Sequence, residues 1–241
     1  MPATVQCNGE RYGLVHVFKH DFFAATGLYR GPRGDAVLKL GRKNDIGVIP
    51  GEWIGAFLAR RELRHYRLMQ DLPGVPGLIG AVGEHGLLHE YIPGRPLERH
   101  AGISDSFFDE LLEMLETMHD RRLAYVDLNK PQNILLGDDG KPYLIDFQIS
   151  LHAPPAGWRG LWPVQWILKR FQQGDRYHYL KHKRRMRPDL LSELERGEAG
   201  RIGLWIRLHR LFARPITKLR RRILKRLARS ETVSVSGSSA K

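Results

Sequence analysis

Residues 125–150 read YVDLNKPQNILLGDDGKPYLIDFQIS. Two apolar runs are joined by a Gly-Asp-Asp-Gly turn, and around them stand Asp127, Asn133 and Asp146. A strand-turn-strand of this kind can gather three oxygen donors at one end of a hairpin. Two carboxylates and an amide suit magnesium-dependent phosphoryl transfer, with one carboxylate beside the acceptor hydroxyl and the other two groups on metal. Asp146 is the hardest of the three to explain structurally. It lies between YLI and FQI, where an unpaired buried carboxylate is costly, and a cation or a nearby lysine would resolve it. Asp138, Asp139 and Gly140 read as the hairpin turn, not as ligands.

Outward from this stretch, residues 14–40 read as strands and turns. LVHVF alternates, GLYRG and AVLKL are short β-prone runs, and GPRGD between them turns the chain. From Glu52 to Met69 the period becomes helical, through Ile54, Phe57, Leu58, Leu63, Tyr66 and Met69, and LPGVPG stops it. GLIGAVG and GLLHEYI follow as strands, then PGRP as a breaker. Ser104 or Asp105 is the expected cap of a helix that buries Phe107, Phe108, Leu111, Leu112, Leu115 and Met118. Past Ser150 the texture turns Trp- and Arg-rich, with KHKRRMRP and PITKLRRRILKRLARS strongly basic and residues 231–241 expected to be disordered.

The chain has 241 residues, enough for one large core or two small lobes, and its 42% apolar and 27% charged content is that of a globular protein. One cysteine, Cys7, excludes an internal disulfide and fits a reducing cytosol. No stretch reaches the roughly 20 apolar residues of a membrane span, and the start lacks the apolar core of a signal peptide, so the expectation is a cytoplasmic protein. The net charge of +13 is uneven: residues 1–150 carry −3 and residues 151–241 carry +16. Such a tail points to a polyanionic partner. LWPVQWILKRF and RRRILKRLARS fit helices lying at an anionic membrane surface. Nucleic acid explains the charge as well but lacks a recognised module.

With these residues in order, the chain resembles the protein kinase-like superfamily over residues 14–150. Lys39 in AVLKL, on the third expected strand, matches the lysine that contacts the α/β-phosphates, and Glu62 on the following helix matches its ion-pair partner. Glu90 and Ile92 in EYIPG match the hinge, where a backbone carbonyl and amide take the adenine edge. Asp127 matches the catalytic-loop aspartate, Asn133 and Asp146 the metal ligands, and His119 a structural histidine. The resemblance implies an α+β, two-lobed fold with a small antiparallel sheet, a reduced helical lobe and basic C-terminal helices. It implies ATP and Mg²⁺ as cofactors, and a protein serine/threonine or glycolipid hydroxyl as acceptor.

In its departures the chain resembles an atypical bacterial branch. That branch includes lipopolysaccharide-core sugar kinases, RIO-type kinases and bacterial serine/threonine protein kinases. The phosphate-binding loop offers Gly27 and Gly31 in AATGLYRG instead of three spaced glycines. Tyr125-Val126 stands where His-Arg is usual, five residues separate Asp127 from Asn133, Gln148 replaces glycine, and no Ala-Pro-Glu follows. A pseudokinase scaffold is the alternative outside the enzymes. The expected organisation is a kinase-like body over 1–150, a basic helical remainder over 151–230 and a tail over 231–241.

Overall fold

The computed structural model describes residues 1–20, 24–41, 51–98 and 102–200. It contains two compact units, Met1–Glu193 and Leu194–Lys241. The basic stretch 215–230 and the tail 231–241 lie outside the described residues.

Six antiparallel strands open the first unit: β1 (Thr4–Cys7), β2 (Glu10–His20), β3 (Ala24–Gly31), β4 (Gly34–Gly41), β5 (Leu78–Val82) and β6 (Gly86–Glu90). Their spatial order is β1-β2-β3-β4-β6-β5. One face of the sheet buries Tyr12, Tyr29, Ala36, Leu38 and Leu88. Because side chains alternate along a strand, Lys39 lies on the opposite face from Leu38, level with Leu87 of β6. Strand β1 is an element the sequence reading lacked, so Lys39 sits on the fourth strand instead of the third. Its signal was Asn8-Gly9, which turns β1 into β2 with φ of +52° and +82°. That is the conformation a two-residue hairpin demands, and Asn-Gly adopts it readily.

Helix α1 (Gly51–Leu68) crosses from β4 to β5. Tyr66 and Met69 are buried as expected, but Phe57 is exposed, because its helical spacing aligns it with Arg61 and Arg64 on the outward side. Helix α2 (Phe107–Asp120) buries Met114 where Leu112 was expected. Its N-cap is Ser106, not Ser104 or Asp105, and makes no side-chain capping bond.

PGRP is not simply a breaker. Gly94–Pro96 forms β7, an edge strand pairing with β9 (Ile134–Gly137), which pairs with β10 (Pro142–Leu144). Proline is tolerated there because an edge strand leaves one side of its backbone unpaired. Short strands β8 (Leu123–Ala124) and β11 (Leu151–His152) bracket the β9–β10 hairpin and pair with each other. Helix α3 (Trp162–Met186) packs on α2 and β8 within the same unit, and α4 (Glu193–Gly200) follows it.

Candidate active site

The site begins with one ammonium between two carboxylates. Lys39 Nζ on β4 lies 2.8 Å from Glu62 Oε1 on α1 and 2.7 Å from Asp146 Oδ1 beyond β10. Burial draws the Lys39 pKa down, but the two carboxylates outweigh it and the net shift is upward, so the amine is charged. Burial likewise pushes Asp146 up, and the Lys39 ammonium overcomes this to hold it below the usual carboxylate range. Glu62, almost fully enclosed, is pushed up by burial against the pull of Lys39. The three residues are 23 and 107 positions apart in sequence and share one charge centre.

The second group hangs on the loop that follows β8. Asp127 Oδ2 accepts hydrogen bonds from Asn133 Nδ2 at 3.0 Å and from Lys130 Nζ at 2.6 Å. The extra residue between Asp127 and Asn133 is absorbed by a turn at Leu128-Asn129 and a 3₁₀ turn over Pro131–Asn133, so the amide still reaches the aspartate. The Ile145 N–H donates to the Asn133 carbonyl at 3.1 Å, which sets Asp146 beside Asn133. Burial raises the Asp127 pKa, partly opposed by Lys130. Lys130 was absent from the sequence reading; a lysine three residues after the loop aspartate was the available signal.

What holds this loop lies fifty residues away. Asp175 on α3 is fully buried and accepts N–H bonds from Tyr125 and Val126, each at 2.8 Å, with His119 Nε2 at 3.3 Å. Burial raises the Asp175 pKa against these donors. Val126 has φ +72° and Asp146 φ +65°, left-handed conformations that disfavour side chains, and for a β-branched valine a true outlier. The paired bonds to Asp175 keep Val126 there. Sequence reasoning missed Asp175, although it is the first acidic residue after Asp146 and sits on a helix whose other buried positions are mostly apolar or aromatic. His119 is a hydrogen-bonded, largely buried histidine, as expected.

Four buried rings connect these parts. His89 on β6 stacks on Tyr66 of α1 at 5.2 Å, Tyr66 meets Phe147 edge-on at 5.0 Å, and Phe147 meets Tyr125 edge-on at 5.3 Å. The Tyr125 hydroxyl donates to the Ile145 carbonyl. His65 Nδ1 lies 3.0 Å from the Phe147 carbonyl, and since a carbonyl only accepts, Nδ1 carries the proton. Arg61 donates to the Ser150 carbonyl at 2.8 Å. Glu62 is thus carried on a helix tied on both sides to the segment that carries Asp146.

At the hinge, the Glu90 N–H donates to the Gly77 carbonyl at 2.8 Å and its own carbonyl accepts from His89 Nδ1 at 2.8 Å. A carbonyl has two lone pairs, so one stays open to an incoming donor. Ile92 is half-buried just beyond. Gly27 departs from expectation: AATGLYRG is strand β3, not a loop, and Gly27 lies in the ladder between Val17 and Leu38. A side chain there would meet the His16 carbonyl at 3.0 Å and Met1 at 3.1 Å, and Gly31 is small because Tyr12 packs on it. Both glycines serve sheet packing. Residues 21–23, between β2 and β3 in the chain, lie outside the described residues.

The donor set fits Mg²⁺. Asn133 gives its NH₂ to Asp127, which leaves its carbonyl oxygen for a cation, and Asp146 adds a carboxylate. Among the described residues no cluster of three or more His, Cys, Asp or Glu forms a metal cage. Mg²⁺ is commonly held by one or two protein oxygens together with phosphate and water.

No family model matches the chain. In sequence it is 32% identical over 165 residues to serine/threonine-protein kinase C of Synechocystis sp., covering 62% of this chain and 31% of that protein. It is 33% identical over 64 residues to Aurora kinase B of Xenopus tropicalis, covering 25% of this chain and 18% of that protein. The chain therefore spans less than a third of the length of the curated relatives it matches. In structure it is similar to the Rio2 kinase of Chaetomium thermophilum solved as an ADP/Mg²⁺-phosphoaspartate complex. The TM-score is 0.56 and the identity 17%, covering 92% of this chain and 72% of that one. A second Rio2 structure from the same organism gives a TM-score of 0.53 at 16% identity. The fold is the two-lobed, α+β protein kinase-like fold. In sequence over 165 residues and in fold, the chain is similar to protein kinases.

Proposed function

We propose that the chain is an ATP-dependent phosphotransferase that moves the γ-phosphoryl group to a hydroxyl, with a protein serine or threonine as the acceptor. The observation that carries this reading is Lys39 bridging Glu62 and Asp146 while Asp127 and Asn133 stand together beside them. Lys39, positioned by Glu62, would hold the α/β-phosphates, and the Glu90 carbonyl with the Ile92 amide would take the adenine edge. Gly27 has no part in this reading, given its place in the sheet. Asn133 and Asp146 would hold Mg²⁺, which when bound neutralises charge on the phosphate oxygens. Asp127 would orient the acceptor hydroxyl and take its proton as the new O–P bond forms and the bond to the β-phosphate oxygen breaks. Its raised pKa favours that acceptance. Lys130, already on Asp127, places a second cation where the transferred group gathers charge.

Residues 1–150 carry the proposed chemistry. The basic remainder over 151–230 is proposed as the part that meets an anionic surface, with a cytoplasmic location at its periphery. Among the described residues no helix is long and apolar enough to cross a membrane. A glycolipid hydroxyl as acceptor is favoured by that charge; nucleic acid is the weaker partner. A pseudokinase scaffold is favoured by one observation, the use of AATGLYRG as a strand.

Transfer of labelled γ-phosphate from ATP·Mg²⁺ to a bacterial protein extract and a membrane extract, side by side, tests the reading. Label should enter protein, and Asp146→Ala should abolish it. Label confined to the membrane extract would move the acceptor to glycolipid. Wild-type turnover by Asp146→Ala would sink the phosphotransferase reading. A melting temperature unmoved by ATP with or without Mg²⁺ would favour the scaffold.

A further inference from the structure

Between Asp146 and Asp175 the chain has no acidic residue, and within this stretch lie Arg159, Lys169 and Arg170. A 3₁₀ turn (Gly157–Gly160) and the first turns of α3 project its tryptophans outward: Trp158 is 68% and Trp162 76% exposed, with Leu161 exposed between them. Large apolar rings left in water in one contiguous run mark a surface that meets another phase or partner. Here the rings come with cations. Arg159 lies over Trp158 at 5.4 Å and Arg170 over Trp166 at 5.1 Å.

Helix α1 adds to the same charge. Arg61 reaches the Ser150 carbonyl, which brings the outward row of α1, with Arg64, alongside the segment leading to Trp158. Arg61 and Arg159 repel one another, and after burial itself the nearness of Arg64 and Arg159 keeps a proton off His152. Among the described residues no carboxylate pairs with Arg64 or Arg159. The field at this face is therefore positive and uncompensated.

We propose that the face formed by Trp158, Leu161 and Trp162 with Arg64 and Arg159 docks on an anionic phospholipid bilayer. Indole rings partition to the headgroup level, and each cation near an anionic leaflet adds its own attraction. A second copy of the chain would set like charges face to face. Residues 201–241, with 12 Lys+Arg and one Asp+Glu, would be repelled from it as well. Docking requires no nucleotide and stands apart from the phosphotransferase reading.

The test uses the full chain carrying Trp53→Phe, Trp166→Phe and Trp205→Phe. The remaining tryptophans, Trp158 and Trp162, then report this face alone. Vesicles of phosphatidylcholine containing phosphatidylglycerol should shift their emission to the blue, and brominated acyl chains should quench it. Phosphatidylcholine alone should do neither. Replacing Arg64 and Arg159 by Glu, or Trp158 and Trp162 by Ser in the parent chain, should weaken co-sedimentation with the anionic vesicles about tenfold. Circular dichroism melting should be unchanged in both. Unshifted emission, whether or not the chain sediments with vesicles, would overturn the proposal. So would a response to single-stranded RNA with none to vesicles.

Discussion

The Lys39–Glu62–Asp146 centre and the loop carrying Asp127 are built by different means. The first is held by side-chain charge: one ammonium satisfies two carboxylates drawn from a strand, a helix and a hairpin. The second is held by its backbone, through two N–H groups gripped by Asp175 and a side-chain bond from Asn133. Charge can act between elements that merely approach one another. A backbone grip fixes conformation, and here it maintains a left-handed valine. The lesson is that one half of the site is assembled by attraction and the other by restraint, so the two should fail differently.

The largest effect is expected at the charge centre. Lys39→Ala should lower phosphoryl transfer by about 10²–10³-fold or more, the order seen when one preorganised charge is removed. It also strands Glu62, so stability should fall by about 3–5 kcal/mol as for a broken buried pair. Lys39→Met with Glu62→Gln should recover most of that stability in a denaturant titration and none of the turnover. If the double variant regained activity, charge would not be what this half supplies.

At the loop, Asp175→Ala leaves two buried N–H groups without acceptors and should cost about 2–4 kcal/mol in a urea titration. Turnover should drop with affinity for ATP largely kept, because the loop and not the phosphate contact is loosened. A fall in ATP affinity with unchanged turnover would contradict the restraint.

A smaller effect separates the halves by pH. Burial holds both His65 and His89 at about 4, below the 6.5 of a free histidine. Between those values the unfolded chain binds protons that the folded chain does not. Stability is therefore complete above 6.5 and declines as pH falls toward 4. His89→Leu should flatten the pH dependence of the melting temperature between pH 7 and about 5; an unaltered slope would place the sensitivity elsewhere. The smallest change is expected from Val126→Gly, which removes side-chain strain at φ +72°. Stability should rise by roughly 0.5–1 kcal/mol, read as a higher melting temperature. Destabilisation would mean that the valine packing outweighs its strain.

The two halves also differ in legibility. Lys39 and Asp146 are conspicuous because each interrupts an apolar run, and Glu62 because it falls on a helical period after that strand. The hairpin turn at Asp138-Asp139-Gly140 shows in its residues, with Gly140 at φ +80° and Asp139 accepting from Tyr143. Asp175 shows no such period. Its partners are backbone groups, which carry no residue identity, and they lie 49 and 50 positions away. Gly27 misled for the converse reason: glycine marks both phosphate loops and close-packed strands, and here the Met1 and His16 contacts decide for the strand.

The sequence by itself determined the strand-helix-hairpin order and the ionisable residues of the centre, because local pattern and misplaced charge are properties of the chain. Only the tertiary structure decided that Lys39 serves two carboxylates, that Asp175 restrains the loop, and that His89, Tyr66, Phe147 and Tyr125 form one column. Those contacts join elements whose separation along the chain has no period. Their energies arise only when packing excludes water from between them.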